Sequence, residues 1–388
     1  MFTLTIHAAL AAFTAFLASA TSTVRAQDVP ILDSIPSTPI GSVFNADLDF
    51  TFPLSPIEPH VQFGALADAP TDVGHIHSSA RADAHAPIGV MADHTHHAGE
   101  FMISYRTMHM RMHGNRDGDS RISSDDVLDD FMVTPTSMSM DMHMLGAMYA
   151  PTDWMTVMVM VPYVRKDMDH LTRMGGRFTT KSEGLGDIRL TGMFPIYHEG
   201  PHTFHANFGL SIPTGSIDEK DATPADPTAS RRLPYPMQLG SGTFDLLPGA
   251  VYTYQAPGWS FGAAANGTIR LGENDHAYTL GDALEFTTWW AYEWEDWIST
   301  SVRLDYQLWG NIDGADPDLN PMMVPTADPN RRGGQRLDLL FGVNLYAPKG
   351  ALAGNRLAVE VGLPIYQDLD GPQLETDLLL TIGWQYTF

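Results

Sequence analysis

The chain has 388 residues, no cysteine, 44% hydrophobic residues and a formal net charge of -24. The absence of thiols excludes disulfides and thiolate metal sites, which suits a polypeptide exported through an oxidising compartment. The acidic balance excludes nucleic acid as a partner, because no basic stripe is present to displace counterions from phosphate, and the length admits two or three soluble domains or one large barrel behind a leader.

Leu4 to Ala20 is apolar and small residues follow it, so residues 1–26 read as a signal peptide cleaved after Ala20 or Ala26. No Lys or Arg precedes Arg25, which leaves the free amine as the only positive charge of that leader. Residues 27–97 are rich in Pro, Asp, Ala and His with little periodicity, as expected of an irregular periplasmic leader. Short apolar runs such as Val43 to Phe52 make a plug for whatever follows the alternative.

Alternation with a period of two begins near Glu100 and recurs in segments of about ten residues, the unit of a tilted membrane strand. Strands are expected near 99–112, 138–149, 154–164, 186–197, 202–212, 242–255, 259–271, 282–293, 297–309, 335–346, 355–364 and 374–388. Leu337, Leu339, Phe341, Val343 and Leu345 share one face, opposite Arg336, Asp338, Gly342 and Asn344; Leu357, Val359, Val361 and Leu363 likewise oppose Arg356, Ala358, Glu360 and Gly362. In the last segment Leu374, Thr376, Leu378, Leu380, Ile382, Trp384, Tyr386 and Phe388 form an apolar face ending in aromatics. Tight connections at 150–153, 199–201, 256–258 and 294–296 alternate with long charged loops near 113–137, 165–185, 213–241 and 310–334. Trp154, Trp259, Trp294, Trp297 and Tyr292 gather at the short turns as an interfacial girdle would. Pro248 inside the sixth segment counts against a strand there unless it marks a bulge.

These features predict an all-β fold: a transmembrane antiparallel up-and-down β-barrel of about twelve strands over residues 98–388, with a narrow lumen. Long loops on one rim and an even strand count place both termini in the periplasm. Outer-membrane lipid is then a partner, and the last strand, ending at Phe388, resembles the signature by which barrel-assembly machinery recognises such proteins.

Glu285, Arg303, Asp305, Arg336, Asp338, Arg356, Glu360, Glu375 and Asp377 fall on the polar face of the later strands, where they would line the lumen either as a transverse field or as mutually neutralising pairs. The early strands are rich in methionine. Met108, His109, Met110, Arg111, Met112 and His113, and Met138 through Met144, alternate thioethers with polar side chains. The polar set containing Asp141 and His143 is expected to face the lumen, which sends Met138, Met140, Met142 and Met144 outward; in the third strand Met158 and Met160 are expected inside. Thioethers and imidazoles suit Cu(I), so Met108, Met110, Met112, Met140, Met142 and Met144 with His94, His96, His97, His109, His113 and His143 form a candidate soft-metal set, beside the plainer reading of Met as an apolar filler. Residues 115–126 place Asn115, Asp117, Asp119, Arg121 and Asp126 at the ligand spacing of an EF-hand calcium loop, with Ser120 where that loop requires glycine and Asp126 where it uses glutamate. Ser123 or Ser124 is suited to capping a short helix after it. His202, His205 and His276 lack a legible seryl partner, so no enzyme activity and no required cofactor are expected.

The Gly99 to Gly114 strand with its GNRDG continuation, Val133 to Trp154, Val159 to His170, Ser182 to Leu190, Ser211 to Gly215 and Leu233 to Gly249 resemble the outer-membrane family named for a MetA pathway of phenol degradation. The resemblance implies passive passage of small, aromatic or hydrophobic cargo across the outer membrane of a Gram-negative cell. A Met- and His-rich envelope protein that binds or passes copper is the alternative function.

Overall fold

A computed structural model gives the structure of residues 81–388; the expected signal peptide and residues 27–80 of the leader lie outside the described residues. Strand β1 (Phe101–Gly118) leads through the short β2 (Ser120–Ile122) and helix α1 (Ser124–Asp130) into β3 (Val133–Thr152), β4 (Met155–Thr172) and β5 (Arg177–Leu185). Then come β6 (Ile188–Glu199), β7 (His202–Ile212), β8 (Phe244–Ala256), β9 (Trp259–Leu271) and β10 (Tyr278–Thr279). The chain ends with β11 (Ala283–Glu295), β12 (Ile298–Trp309), β13 (Asp313–Gly314), β14 (Gly334–Tyr346) and β15 (Asn355–Thr387).

Eleven of these elements form a closed antiparallel ring, from β1 through β3, β4, β6, β7, β8, β9, β11, β12 and β14 to β15, which pairs back onto β1. Residues 356–369 of β15 run against β14 and residues 369–387 run against β1. Strand direction alternates around the ring, so these two limbs of β15 point in opposite senses and the ring holds an even number of limbs, about the twelve expected. The two separate final strands anticipated from sequence are one element because the reversal near Gly371 keeps extended backbone. At Thr376 the limbs touch: its N–H donates to Gln367 Oε1 at 2.8 Å, and Gln367 Nε2 donates to Thr376 O at 3.0 Å. The seam closes at the other end, where Phe101 and Phe388 exchange backbone hydrogen bonds of 2.9 Å.

Inside the hydrocarbon, backbone polar groups find no water, so a sheet must close on itself. The outer face shows the matching apolar band, with Phe208, Ile269, Val302, Phe341, Val359, Leu363 and Trp384 exposed, and Trp154, Trp294 and Trp297 exposed near the short turns. No helix among the described residues is long and apolar enough to cross a membrane.

Three expectations need correction. The segments expected as loops near 113–137 and 165–185 are largely strand: β1 runs to Gly118, β4 to Thr172, and β5 pairs with the distal half of β4 while β6 takes the proximal half. Pro248 marks no bulge, since β8 keeps its register with β9 on either side of it. Gly267 across the strand pair makes the room, because a Cβ there would lie 3.2 Å from the Pro248 ring. In the last strand Leu374 packs against an internal methionine cluster and Thr376 accepts a 2.9 Å bond from the buried Arg336, so the outward apolar face starts only at Leu378.

The long connections fold over their own rim. Arg232 donates to both carboxylate oxygens of Asp316 at 2.8 Å and to Asp318 at 2.7 Å, clamping the β7–β8 connection to the β12–β14 connection. Burial by itself would raise the Asp316 carboxyl; Arg232 and the Asp318 N–H outweigh it and hold that carboxyl below its usual value. A depressed carboxylate contributes stability above its unfolded value and loses it as pH falls through the folded one. The clamp is therefore expected to hold from neutral pH down to pH ~4 and to open below it. Arg232→Ala strands a buried carboxylate, so hydrogen exchange in 213–243 and 310–333 should rise at neutral pH while the strands stay protected; unchanged exchange would reject the clamp.

Candidate functional site

Residues 81–96 run inside the barrel without regular structure, and side chains of the wall meet many of their polar backbone atoms. Ser299 donates to Ala82 O at 2.8 Å, Ser260 to Asp83 O at 2.7 Å, Gln255 to Ala84 O at 3.2 Å and Arg356 to Ala86 O at 2.5 Å. Further along, Arg106 donates to Val90 O at 3.1 Å, His205 to Ala92 O at 2.9 Å, and the His96 N–H donates to Thr156 at 2.9 Å. Irregular backbone at membrane depth is tolerable only when buried and bonded in this way. The segment lies close against the wall: a Cβ on Gly89 would sit 2.3 Å from Glu360 and 2.4 Å from Arg303. Ala86 and Val90 pack on Trp289, a buried tryptophan that enters the lumen because Gly262 opposite has no side chain.

Above this plug is a chamber of about 650 Å³. Its floor is Ile88 to Ala92 and its roof is Tyr235 to Ser241 of the β7–β8 connection, tied to β4 by Lys166, whose ammonium donates to Pro236 O at 2.8 Å. One wall, on β1, β3 and β4, is rich in methionine. Met108, Met110, Met140, Met142, Met144, Met158 and Met160 all line it. They meet because the register sets Met108 opposite Met142 and Met110 opposite Met140. The facing wall, on β6, β8, β9, β11, β12 and β14, carries Arg189, Asp245, Arg270, Glu285, Arg303, Asp305 and Arg336.

Of the lumen residues read from sequence, Glu285, Arg303, Asp305 and Arg336 line the chamber. Arg303 bonds Glu360 at 2.8 Å and lies 3.4 Å from Asp305; Arg336 bonds Asp338 at 2.9 Å. Glu360 and Arg356 lie beneath the plug, where the Gly89 N–H donates to Glu360 at 3.1 Å. Glu375 pairs with Arg116 at 2.8 Å and Arg121 at 2.6 Å. Asp377 departs from expectation, lining a shallow separate groove with Arg111, His113 and Asp167. Pairing thus dominates the later strands, as buried charges require.

The expected parity of the second methionine strand is reversed, while Met158 and Met160 lie inside as expected. Met138, Met144, Met158 and Met160 are buried and Met140 and Met142 face the chamber, while His143 and Asp141 point outward, His143 bonding Tyr105 and Asp141 bonding His109 at 2.7 Å each. The candidate soft-metal set is consequently split. His109, His113 and His143 lie on the outside, Met112 packs in a distal cluster with Met138 and Met168, His97 is exposed, and His94 and His96 belong to the plug. The EF-hand arrangement does not form either. Asn115 is buried and donates to Thr134 and Pro135 O, residues 115–122 make the β1–β2 hairpin, and Arg121 is paired with Glu375. Asp126 closes a capping box with Ser123 at the start of α1, so Asp117 and Asp119 have no partners to complete the loop.

Sequence reasoning missed Lys166, Arg189, Asp245, Arg270 and Trp289. Their alternation with outward Leu190, Leu246 and Ile269 was the available signal, and it was read only on the later strands.

Comparison with known proteins follows the same lines. Residues 143–318 match a family model described as "Putative MetA-pathway of phenol degradation". No curated protein matches the chain in sequence. Among solved structures, the COG4313 outer membrane channel from Pseudomonas putida F1 is similar at TM-score 0.53 and 15% identity, covering 77% of this chain and 99% of that one. The P. putida toluene transporter TodX follows at TM-score 0.38 and 8% identity, covering 76% and 91%. The first likeness shows a shared outer-membrane barrel fold.

Gly89→Val forces a branched side chain into the Arg303–Glu360 pair. Hydrogen exchange of 81–98 should rise on the order of tenfold or more with the barrel itself still resistant to heat in detergent, whereas Ala98→Val, at an exposed site, should change nothing. Equal protection in both variants would contradict the seating of the plug.

Proposed function

We propose that this chain, whose residues 143–318 match the family model described by the MetA pathway of phenol degradation, is a passive outer-membrane channel for small amphipathic molecules, with a phenol-like compound as the type of cargo. The observation that carries this reading is the divided chamber: thioethers on one side, paired charges on the other, within about 650 Å³. Methionine is flexible and polarisable, and sulfur makes favourable contacts with aromatic rings. A ring would lie on the methionine wall while its hydroxyl reaches Asp245, Arg270 or Glu285. Purely polar solutes lose hydration at the methionine side and gain nothing there. The plug and the roof stand across both ends, so passage requires one of them to move. In this reading both termini lie on the periplasmic side with the short turns, lipid surrounds the exposed band, and the strand ending at Phe388 is the segment offered to barrel-assembly machinery.

Convergence of seven methionines on one chamber wall also favours a second reading, passage of Cu(I), for which thioethers are suitable ligands. Changing Met108, Met110, Met140, Met142 and Met144 to Leu separates the two, because leucine keeps the apolar wall and removes sulfur. In proteoliposomes the wild type should admit phenol-sized solutes and exclude disaccharides, and a variant lacking residues 27–97 should admit both. The leucine variant should retain phenol uptake within a few-fold. Selective loss of Cu(I) uptake in it would favour the metal reading, and no permeation by either the wild type or the deletion variant would end the channel proposal.

A further inference from the structure

Four residues of the plug are arranged in a way that passage does not use. His85, Asp93 and His94 present ligand atoms within 4.8 Å of one another. The ring of His94 stands edge-on to His85 at 4.5 Å between centroids and to His96 at 4.9 Å, so the three imidazoles form a continuous cluster.

The hydrogen bonds decide where the lone pairs are. Asp93 faces His94 Nδ1 at 2.9 Å and Glu100 faces His96 Nδ1 at 3.2 Å. A carboxylate only accepts, so in each neutral ring the proton sits on Nδ1 and the lone pair on Nε2. His94 Nε2, His96 Nε2 and His85 Nδ1 are all buried, and none has a hydrogen-bond partner. Three unpaired imidazole nitrogens in one small cluster are costly for a merely structural segment. Carboxylates that orient histidines from behind are the usual outer support of imidazole metal ligands. Asp93 also accepts from the Ala86 N–H at 3.0 Å, which folds the segment so that His85 returns to His94. Arg356, the neighbouring cation, is occupied by Gln385 at 2.6 Å and Asn344 at 2.7 Å.

We propose that His85, His94 and His96, with the Asp93 carboxylate beside them, bind one divalent transition-metal ion of the zinc class. Nitrogen donors with one carboxylate suit a borderline cation and suit Cu(I) poorly. The ion cross-links both ends of the segment 85–96, whose middle is already held to the wall through Val90 O and Ala92 O, and so fixes the plug. The site is separate from the methionine wall, and its occupancy is measured without any transport assay.

The test uses the full-length protein purified in detergent, stripped with chelator and titrated with Zn²⁺ by calorimetry, with Co²⁺ absorption as a geometric readout. One ion per chain is expected in the wild type and in His97→Ala and His109→Ala, which alter exposed or outer-face imidazoles. The double variant His85→Gln, His94→Gln should bind at least a hundredfold more weakly, with its barrel melting intact. Zinc should also slow hydrogen exchange of residues 82–96 in the wild type alone. Loss of binding in the His97 or His109 variant, or undiminished binding in the His85/His94 variant, would assign the metal to surface imidazoles and overturn the proposal; so would failure of the wild type to bind.

Discussion

The closed ring and the segment seated inside it both answer to the cost of an unpaired backbone amide or carbonyl away from water. In the wall the cost is met by closure, completed where the last limb of β15 joins β1 and Phe101 exchanges hydrogen bonds with Phe388. In the lumen no ladder is available to residues 81–96, and the same requirement is met by side chains reaching inward from β1, β4, β7, β8, β9, β12 and β15. The wall therefore has to carry polar residues at those particular inward positions. Ser260, Ser299, Gln255 and His205 are there to receive the plug, which makes the plug and the barrel one design.

The second constraint is charge. Removing one partner of a buried ion pair costs about 3–5 kcal/mol, since the other charge is left without solvent. Arg303 with Glu360 and Asp305, and Arg336 with Asp338, satisfy this by local pairing on β12, β14 and β15. Such pairing draws the charged groups together on one arc of the ring. The opposite arc, β1, β3 and β4, brings only Arg106 and Lys166 as charges to the chamber, and methionine, flexible and polarisable, fills the rest of it. The asymmetry of the chamber follows from clustering charge, with no further device.

Much of the fold was legible because hydrocarbon enforces a simple code: along a crossing strand, apolar means outside. Leu337 to Leu345 on β14 and Leu357 to Leu363 on β15 obey it, and their polar neighbours are buried as read. The code stops where the hydrocarbon stops. Strands β1 and β3 have 18 and 20 residues, roughly twice the 9–11 or so needed to cross. The outward His109–Asp141 pair lies near the middle of both strands, about where the crossing length ends, and beyond it polarity no longer reports facing. The alternation of Met with Asp and His was clear in sequence, but its sense had to be inferred from a rule that does not hold at that height. The calcium-loop pattern failed for a different reason. Spacing fixes which residues are available, and the competing hairpin and capping box at Ser123 used the same oxygens and amides first.

The plug was the least legible part, because it has no period to read. Its position depends on contacts of very long sequence separation, such as Ala82 with Ser299 and Gly89 with Glu360. These contacts also set how it can move. A strand leaves a sheet only by breaking a cooperative ladder, whereas residues 81–98 are held by separate side-chain bonds, each contributing about 1 kcal/mol net. Such a segment can detach in part while the ring stays closed, which places it at the low-stability end of the structure where gating elements are found. An ion shared by His85, His94 and His96 would join several of those separate bonds into one cooperative unit. The same sequence could then serve as a loose stopper or a fixed one, with the ring around it unchanged.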